Sequence, residues 1–434
     1  MSKEKSVLII GGGIAGIQAS LDLAEQGYKV HMVEKMASIG GKMALLDKTF
    51  PTMDCAVCIF APKMIETSRN HNIDIITYSE VKSVEGEAGD FKVKVWVKPR
   101  GVDPEKCIGC GQCNQVCPGK GLDQFNENLM PRKAIYRPFA QAVPNIFTID
   151  YNACIRCRAC ERICPVQAIN VDDPGKEIEL DVGAIIVATG LEVWNPSIIQ
   201  EYGYGRFKNV ITALELERML SATGCTSGEL IRLSDELHPH SVTFFHCVGS
   251  RSMKEGYPYC STVCCMHATK EAILVKEHIP DVDVSLFYTD IRAFGKEFRS
   301  FVNRAQDEYG LKYIRAKPAE VREDPETKNL HFWYEDTLTG DLTKFETDLL
   351  VLCTALIPSK DNPELAAVLG VDVDEYGFFV KSDPISSPLS TTREGIFVCG
   401  FSQNPKDIPD AIAEASGAAS MVGSFIEKTT RADQ

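Results

Sequence analysis

The chain has 434 residues, 44% hydrophobic and 24% charged, with 46 basic residues against 60 acidic for a formal charge of −14. That length allows two or three domains with buried cores, and the acidic balance argues against nucleic acid as a partner. Seventeen cysteines behind a start without a signal peptide point to metal ligation or redox chemistry in a reducing, anaerobic cytoplasm, not to secreted disulfides. No run of about 18 apolar residues is present to span a bilayer, so any membrane association would come through partners.

Val7–Ile10 is a short apolar run of the kind that forms a buried parallel strand. It leads into Gly11-Gly12-Gly13-Ile14-Ala15-Gly16, a G-x-G-x-x-G match at Gly11, Gly13 and Gly16, and then into a helical pattern that stops at Gly27. Lys29–Glu34 reads as a second strand ending in an acid. The glycines let backbone approach a pyrophosphate at the helix N-terminus, and Glu34 can accept from an adenosine ribose hydroxyl. Gly11, Gly13, Ile14, Ala15, Gly16, Glu34 and Lys35 are therefore the first candidate dinucleotide-binding residues. Gly40-Gly41-Lys42-Met43 follows, as in two-domain flavoproteins, and adds Gly41, Lys42 and Met43. Cys55-x2-Cys58 stays open between a redox disulfide, cluster ligands and inert or flavin-shielding cysteines.

Next come Cys107-x2-Cys110-x2-Cys113-x3-Cys117-Pro118 and Cys154-x2-Cys157-x2-Cys160-x3-Cys164-Pro165. Two such runs are the ligand set of a bacterial two-cluster ferredoxin, in which the fourth cysteine of each run serves the other cluster. The expectation is one [4Fe–4S] centre on Cys107, Cys110, Cys113 and Cys164, and a second on Cys154, Cys157, Cys160 and Cys117. Such clusters take single electrons. Their electron-pair partner is then FAD rather than NAD, which transfers only hydride.

Ala184–Gly190 is an apolar strand ending in A-T-G, as in glutathione-reductase-like folds, and places Thr189 and Gly190 at the cofactor. Ser241–Phe245 looks like the first strand of a second Rossmann unit, but no glycine fingerprint follows it. Cys247, Cys260, Cys264 and Cys265 stand there instead, spaced C-x12-C-x3-C-C. This predicts a third [4Fe–4S] cluster in place of a nicotinamide site, with His246 and His267 as hydrogen-bond donors to it and not ligands. Cys225, Cys353 and Cys399 read as packing residues. At the end, Gly395–Gly400 resembles the strand that lies against the flavin, with a helix over Ala411–Gly423. Phe401 occupies the place of the aspartate that usually follows Gly400, so the ribityl contact is expected from Asp407 or from backbone near Ile408.

The fold class expected is α/β: a thioredoxin/glutathione-reductase-like flavoprotein with two dinucleotide-binding domains and an inserted α+β two-cluster ferredoxin. Its boundaries are 1–100 for the first FAD segment, 101–180 for the ferredoxin, and 181–237 for the FAD continuation and connector. The second Rossmann-like domain takes 238–357, and 358–434 is the last FAD segment.

Taken together, Gly40–Met43, Phe50–Ile59, Arg132–Tyr136, the cysteine runs, Cys247 to Cys265 and Pro405–Ala411 resemble the A subunit of heterodisulfide reductase. The longer members of that family carry additional N- and C-terminal domains, so the chain reads as a short form. The resemblance implies FAD as the electron-pair handler, three [4Fe–4S] clusters, and Lys270 as a catalytic cation near flavin N5. It also implies a cytoplasmic hetero-oligomer, with dimerisation open, whose partners are other iron–sulfur subunits, a ferredoxin or a hydrogenase-type subunit. Electron bifurcation or confurcation is the sharper version. Two alternatives stay open: an NAD(P)H:ferredoxin-type oxidoreductase like the small subunit of glutamate synthase, and a structural iron–sulfur scaffold.

Overall fold

A computed structural model describes residues 6–432; the five N-terminal residues, part of the start searched for a signal peptide, and the last two lie outside the described residues. The chain forms two compact units. One comprises the described residues up to Ala44, Cys58–Glu192 and those from Pro358 onward; the other comprises Leu45–Val57 and Val193–Ile357. Residues 45–57 and 193–237 thus group with the second unit, which departs from the expected boundaries. The reason lies in pairing: Val210–Thr212 forms a parallel ladder with Leu350–Leu352 of the second unit.

In the first unit, β1 (Ser6–Ile10) is wholly buried, as its unbroken apolar run requires. It leads through the glycine turn into α1 (Ile14–Glu25) and β2 (Lys29–Glu34). The helix α2 (Ala56–Arg69) then leads to β3 (Ile73–Thr77). β4 (Ser79–Glu87), β5 (Asp90–Val97) and β6 (Lys176–Val182) make a separate antiparallel sheet, and β7 (Ala184–Val187) returns to the first. The main sheet runs β3-β2-β1-β7 in parallel, continued by Ile396–Val398, with Ser387–Thr391 and Lys381–Asp383 added antiparallel.

The C-terminal helix spans Ile408–Ala432, longer at both ends than the expected Ala411–Gly423. Asp407 accepts the Asp410 N–H at 3.0 Å and so caps the helix three residues early; Pro409 is tolerated in a first turn. Gly423 does not end the helix, because Val422 and Ile426 on either side of it are buried in the core. Small residues Ala415, Ala418 and Ala419 share that core with Ile17, Ala19 and Leu23 of α1.

The ferredoxin-like segment leaves the antiparallel sheet after β5 and returns at β6, where Val97 and Lys176 stand opposite each other. It therefore ends before Lys176, not at 180 as expected, because Lys176–Val182 pairs along the whole of β5. Inside it are two short hairpins, Lys120–Leu122 with Pro131–Lys133 and Ile135–Tyr136 with Thr148–Ile149, and two short helices, Gln112–Gln115 and Ala159–Ile163. Arg100 ties the segment to its host: its guanidinium donates to the Ala37 carbonyl at 3.3 Å, Thr148 Oγ1 at 3.2 Å and Thr77 Oγ1 at 2.6 Å. Ile39 N–H adds a bond to the Val143 carbonyl at 2.9 Å.

The second unit is built on a parallel sheet of β8 (Val210–Thr212), β9 (Ser241–Val248), β10 (Asp283–Tyr288), β11 (Lys312–Arg315) and β12 (Leu349–Thr354), in the order β8-β12-β9-β10-β11. α3 (Ala213–Leu220) starts on a capping box, with Thr212 and Glu215 each accepting the other's backbone N–H. α4 (Cys264–His278) follows β9. β9 does not stop at Phe245: it bulges, pairing Phe245 with Leu352 and then Val248 with Thr354, and Cys247 sits on the bulge at φ +58°. Among the described residues no helix is long and apolar enough to cross a membrane.

Candidate redox centres

Three backbone segments meet at the glycine turn with no room for side chains. A Cβ on Gly11 would lie 2.3 Å from the Ala188 carbonyl oxygen, one on Gly16 1.9 Å from that of Gly11, and one on Gly41 2.9 Å from Gly13 Cα. Gly40 N–H donates to the Gly12 carbonyl at 2.8 Å, holding the 40–41 turn against the loop. Gly13 precedes α1 without a side-chain cap, and the first turn carries no acid, so the positive helix end stays available to a phosphate. Glu34 is buried beside this cradle, accepting Gly12 N–H at 2.6 Å and Met36 N–H at 2.7 Å. Burial pushes its pKa up and the two backbone donors oppose that; each oxygen keeps a lone pair for a ribose hydroxyl. The cradle and its acid fit the adenosine diphosphate half of FAD.

Of the other expected cofactor residues, Gly400 is close to the loop: a Cβ there would lie 3.0 Å from that of Ala15. Ile14 and Ala15 open α1. Thr189 Oγ1 donates to Asn362 Oδ1 at 2.8 Å, and Gly190 has φ +72°. Met43 is buried in the core and Lys42 half-buried. Lys35 turns its ammonium to Asp361. Asp407 is committed to its cap, and Ile408 opens the helix it caps. Sequence reasoning missed Glu414, which accepts Gly400 N–H at 3.0 Å and pairs with the buried Lys406.

In the ferredoxin-like segment, a small cavity is lined by Cys117 together with Cys154, Cys157 and Cys160. That brings the fourth cysteine of one run to the first three of the other. The two runs repeat each other's backbone: Gly109 and Gly111 have positive φ in the first, and Arg156 (+55°) and Arg158 (+58°) in the second. Arg156 N–H points at Cys154 Sγ at 3.4 Å and Ala168 N–H at Cys164 Sγ at 3.3 Å, the kind of N–H···S bond that tunes cluster potential. Burial pushes the thiol of Cys113 up to about 12 and that of Cys160 to about 11. Neither would ionise unaided near neutrality, so a thiolate there needs the positive charge of bound metal. The donor set fits iron–sulfur ligation.

In the second unit, Cys247 on the bulge is raised by burial, with Cys265 and Cys260 nearby adding to the effect. Cys264 and Cys265 open α4 and are both buried. Thr262 N–H points at Cys260 Sγ at 3.3 Å. The Oγ of Ser250 is buried with no protein partner, and His246 interacts with the Cys265 thiol. A buried polar atom left unpaired is costly, and inorganic sulfides here would supply acceptors, so this group also fits a cluster. Cys353 on β12 is buried and close enough to Cys264, Cys265 and Cys247 to interact electrostatically; its sequence context alone reads as packing. Gly249 gives no phosphate cradle, since a Cβ there would lie 2.5 Å from the Trp194 indole.

Lys270 is fully buried on α4 and hydrogen-bonded to Glu217 of α3, also fully buried. Glu217 accepts Asp47 N–H at 2.6 Å as well. His267 is not turned to the cluster cysteines as expected: its Nε2 lies 3.1 Å from Glu271 and 3.6 Å from Glu217, because an i, i+4 carboxylate shares its helix face. Burial would raise Glu217, but Lys270 and then His267 hold it down at about 2. Burial pushes Glu271 up to about 7, and His267 beside it opposes that rise. Since Glu271 binds its proton more tightly folded than unfolded, its contribution to stability falls as pH rises from about 4.5 through 7. Glu217 has the opposite sign, its contribution being lost as pH falls below about 4.5 toward 2. Glu271→Gln is expected to be more stable than the parent at pH 8, by on the order of 1 kcal/mol, and indistinguishable near pH 4; denaturant unfolding at the two pH values checks this.

Both the glycine cradle and the cysteine runs recur in known proteins. A pyridine nucleotide-disulphide oxidoreductase family model matches residues 5–103, and 4Fe-4S binding domain models match 101–122 and 146–169. The iron-sulfur A subunit of CoB–CoM heterodisulfide reductase from Methanocaldococcus jannaschii is 53% identical over 419 residues, covering 96% of this chain and 64% of the relative. The A subunit of the H2:CoB-CoM heterodisulfide,ferredoxin reductase from Methanothermobacter thermautotrophicus is 49% identical, covering 96% and 63%. The chain thus spans slightly under two thirds of these relatives' length. Among solved structures, thioredoxin reductase from Lactococcus lactis superposes with a TM-score of 0.54 at 16% identity, covering 98% of this chain and 99% of that one. Thioredoxin reductase from T. acidophilum gives 0.53 at 15%, covering 98% of each. The fold is the thioredoxin-reductase-like α/β fold.

Proposed function

Because the chain belongs to the family of heterodisulfide reductase A subunits, we propose that it is the FAD- and iron–sulfur-containing electron-transfer subunit of a multi-subunit oxidoreductase. The observation that carries this is the convergence of Cys117 on Cys154, Cys157 and Cys160 around one cavity, in the unit that also holds the glycine cradle and Glu34. Bound FAD would exchange electron pairs and each cluster single electrons.

The finer reading is three [4Fe–4S] clusters: two on the crossed ferredoxin sets and one on Cys247, Cys260, Cys264 and Cys265. The buried, unpartnered hydroxyl of Ser250 supports the third. The FAD cradle uses Gly11, Gly13, Ile14, Ala15, Gly16, Glu34, Gly41, Thr189, Gly190 and Gly400. Lys270 is the cation assigned to favour the reduced anionic flavin, with Glu217 fixing its position. Partners are other iron–sulfur subunits in the cytoplasm. The relatives' names couple a heterodisulfide with ferredoxin, and two acceptors of that kind for this chain, reached by splitting a pair, are the sharper form of the proposal.

Anaerobic reductive titration of the purified holoprotein tests it. Uptake of about five electrons per chain is expected, two at FAD and one at each of three clusters, and NADH should not bleach the flavin rapidly. Uptake confined to two electrons would leave only a flavoprotein, and rapid bleaching by NADH would restore the nicotinamide site that Trp194 and Cys247 argue against.

A further inference from the structure

Fifteen of the seventeen cysteines are in no disulfide. The other two, Cys55 and Cys58, are disulfide-bonded, and both are exposed, so of the open alternatives a buried inert pair does not hold. Cys55 is the residue before α2 and Cys58 lies in its first turn. Its backbone is fixed from the N-terminal side: Lys48 and Cys55 form an antiparallel bridge, Thr49 N–H donates to the Asp54 carbonyl at 2.8 Å, and Ala56 N–H donates to that of Asp47 at 2.9 Å. On α2 itself, Phe60 and Met64 are buried while Cys58, Ile59 and Pro62 face outward. The sulfurs are therefore presented at the start of a 14-residue helix with no acid in its first turn.

A bridge between residues three apart closes so short a loop that it restricts the unfolded chain very little, so its stabilising effect is small. Accessibility and the positive helix end act in another direction: they leave the sulfurs open to attack and favour a thiolate leaving there. We propose that Cys55 and Cys58 form a redox-active dithiol–disulfide couple that exchanges an electron pair with an external thiol–disulfide couple. An incoming thiolate attacks one sulfur, the Cys55–Cys58 bond breaks, and the displaced sulfur takes a proton. A second external thiolate then attacks the mixed disulfide, releasing the other cysteine, which is protonated in turn, and an external disulfide. The protein gains two electrons and two protons; two external thiols are oxidised. The proposal needs neither the cluster nor the flavin assignments.

The test uses anaerobic holoprotein equilibrated in dithiothreitol buffers of stepped potential, quenched in acid, alkylated with N-ethylmaleimide and digested. The peptide carrying both cysteines should pass in one step from disulfide to doubly alkylated, its ratio changing tenfold per about 30 mV as a two-electron couple does. Cys55→Ser should leave Cys58 singly alkylated and trappable by oxidised glutathione as a mixed disulfide, with iron and FAD content unchanged. Glutathione and a thioredoxin-type dithiol protein, supplied separately at equal potential, identify the source by which reduces the bridge faster. A bridge that survives the most reducing buffer is a structural cross-link and overturns the proposal. Cysteines protected from alkylation until iron is chelated, with iron lost in Cys55→Ser, are cluster ligands and overturn it equally.

Discussion

Replacing Cys264 and Cys265 by serine is expected to lower the iron content from about twelve to about eight atoms per chain, since each cubane carries four. The electron paramagnetic resonance of the ferredoxin pair should stay intact. The two thiols are adjacent at the start of α4, buried, and within reach of Cys247 on the β9 bulge. A cluster cannot be held there by Cys247 and Cys260 alone. The ferredoxin cysteines belong to a different unit of the fold, so the loss is expected to be selective. Cys353→Ser, which changes the fifth thiol of the group, should retain about twelve irons if the four assigned cysteines suffice. Iron analysis that stays near twelve in the double variant would return all five cysteines to packing roles.

Lys270→Met is expected to destabilise the protein by about 3–5 kcal/mol, the range for removing one member of a buried ion pair. The ammonium and the Glu217 carboxylate are both fully buried, so the substitution strands a negative charge beside a second carboxylate, Glu271. Glu217 would then be driven toward protonation, and the penalty should shrink as the solution is acidified from pH 8 toward 5. Lys270→Met combined with Glu217→Gln should recover most of the loss, because no charge is left unpaired. Lys276 serves as the comparison. Its place in the sequence suggests a solvated lysine, but it is half-buried and donates to the carbonyls of Pro280 and Val282 at 2.7 and 2.9 Å. Its change to methionine should cost about 1 kcal/mol. Denaturant unfolding of iron-replete protein measures all four, and equal costs at both lysines would remove the special status of Lys270.

What could be read from the chain were features set by local geometry. Gly11 and Gly16 are demanded by backbone contacts that leave no space for Cβ, so the motif announces itself. The cysteine runs lie in the stretches that match 4Fe-4S binding domains. The bulge at Cys247 was hidden, since nothing in Ser241–Phe245 signals that the strand resumes at Val248. Cys353 joins the group only because β12 lies beside β9, a neighbourhood made by the sheet and not by sequence. The Glu217–Lys270 pair was hidden for a different reason: charged residues in α3 and α4 look solvated, yet Glu215, Glu217 and Arg218 are all buried. Unit boundaries were illegible where short segments pair far along the chain, as Val210–Thr212 does with β12.

The opposition of Val97 and Lys176 has one more consequence. A segment that departs and returns at facing positions of one ladder is a cassette: its removal would leave two strands that a two-residue turn could join into an ordinary hairpin. The host would lose Arg100 with the segment, and with it the donors to Thr77 Oγ1 and the Ala37 carbonyl. The wiring of this protein and its flavin chassis are thus separable at a single seam. A lineage could gain or shed its relay in one insertion or deletion without redesigning the sheet that grips the cofactor.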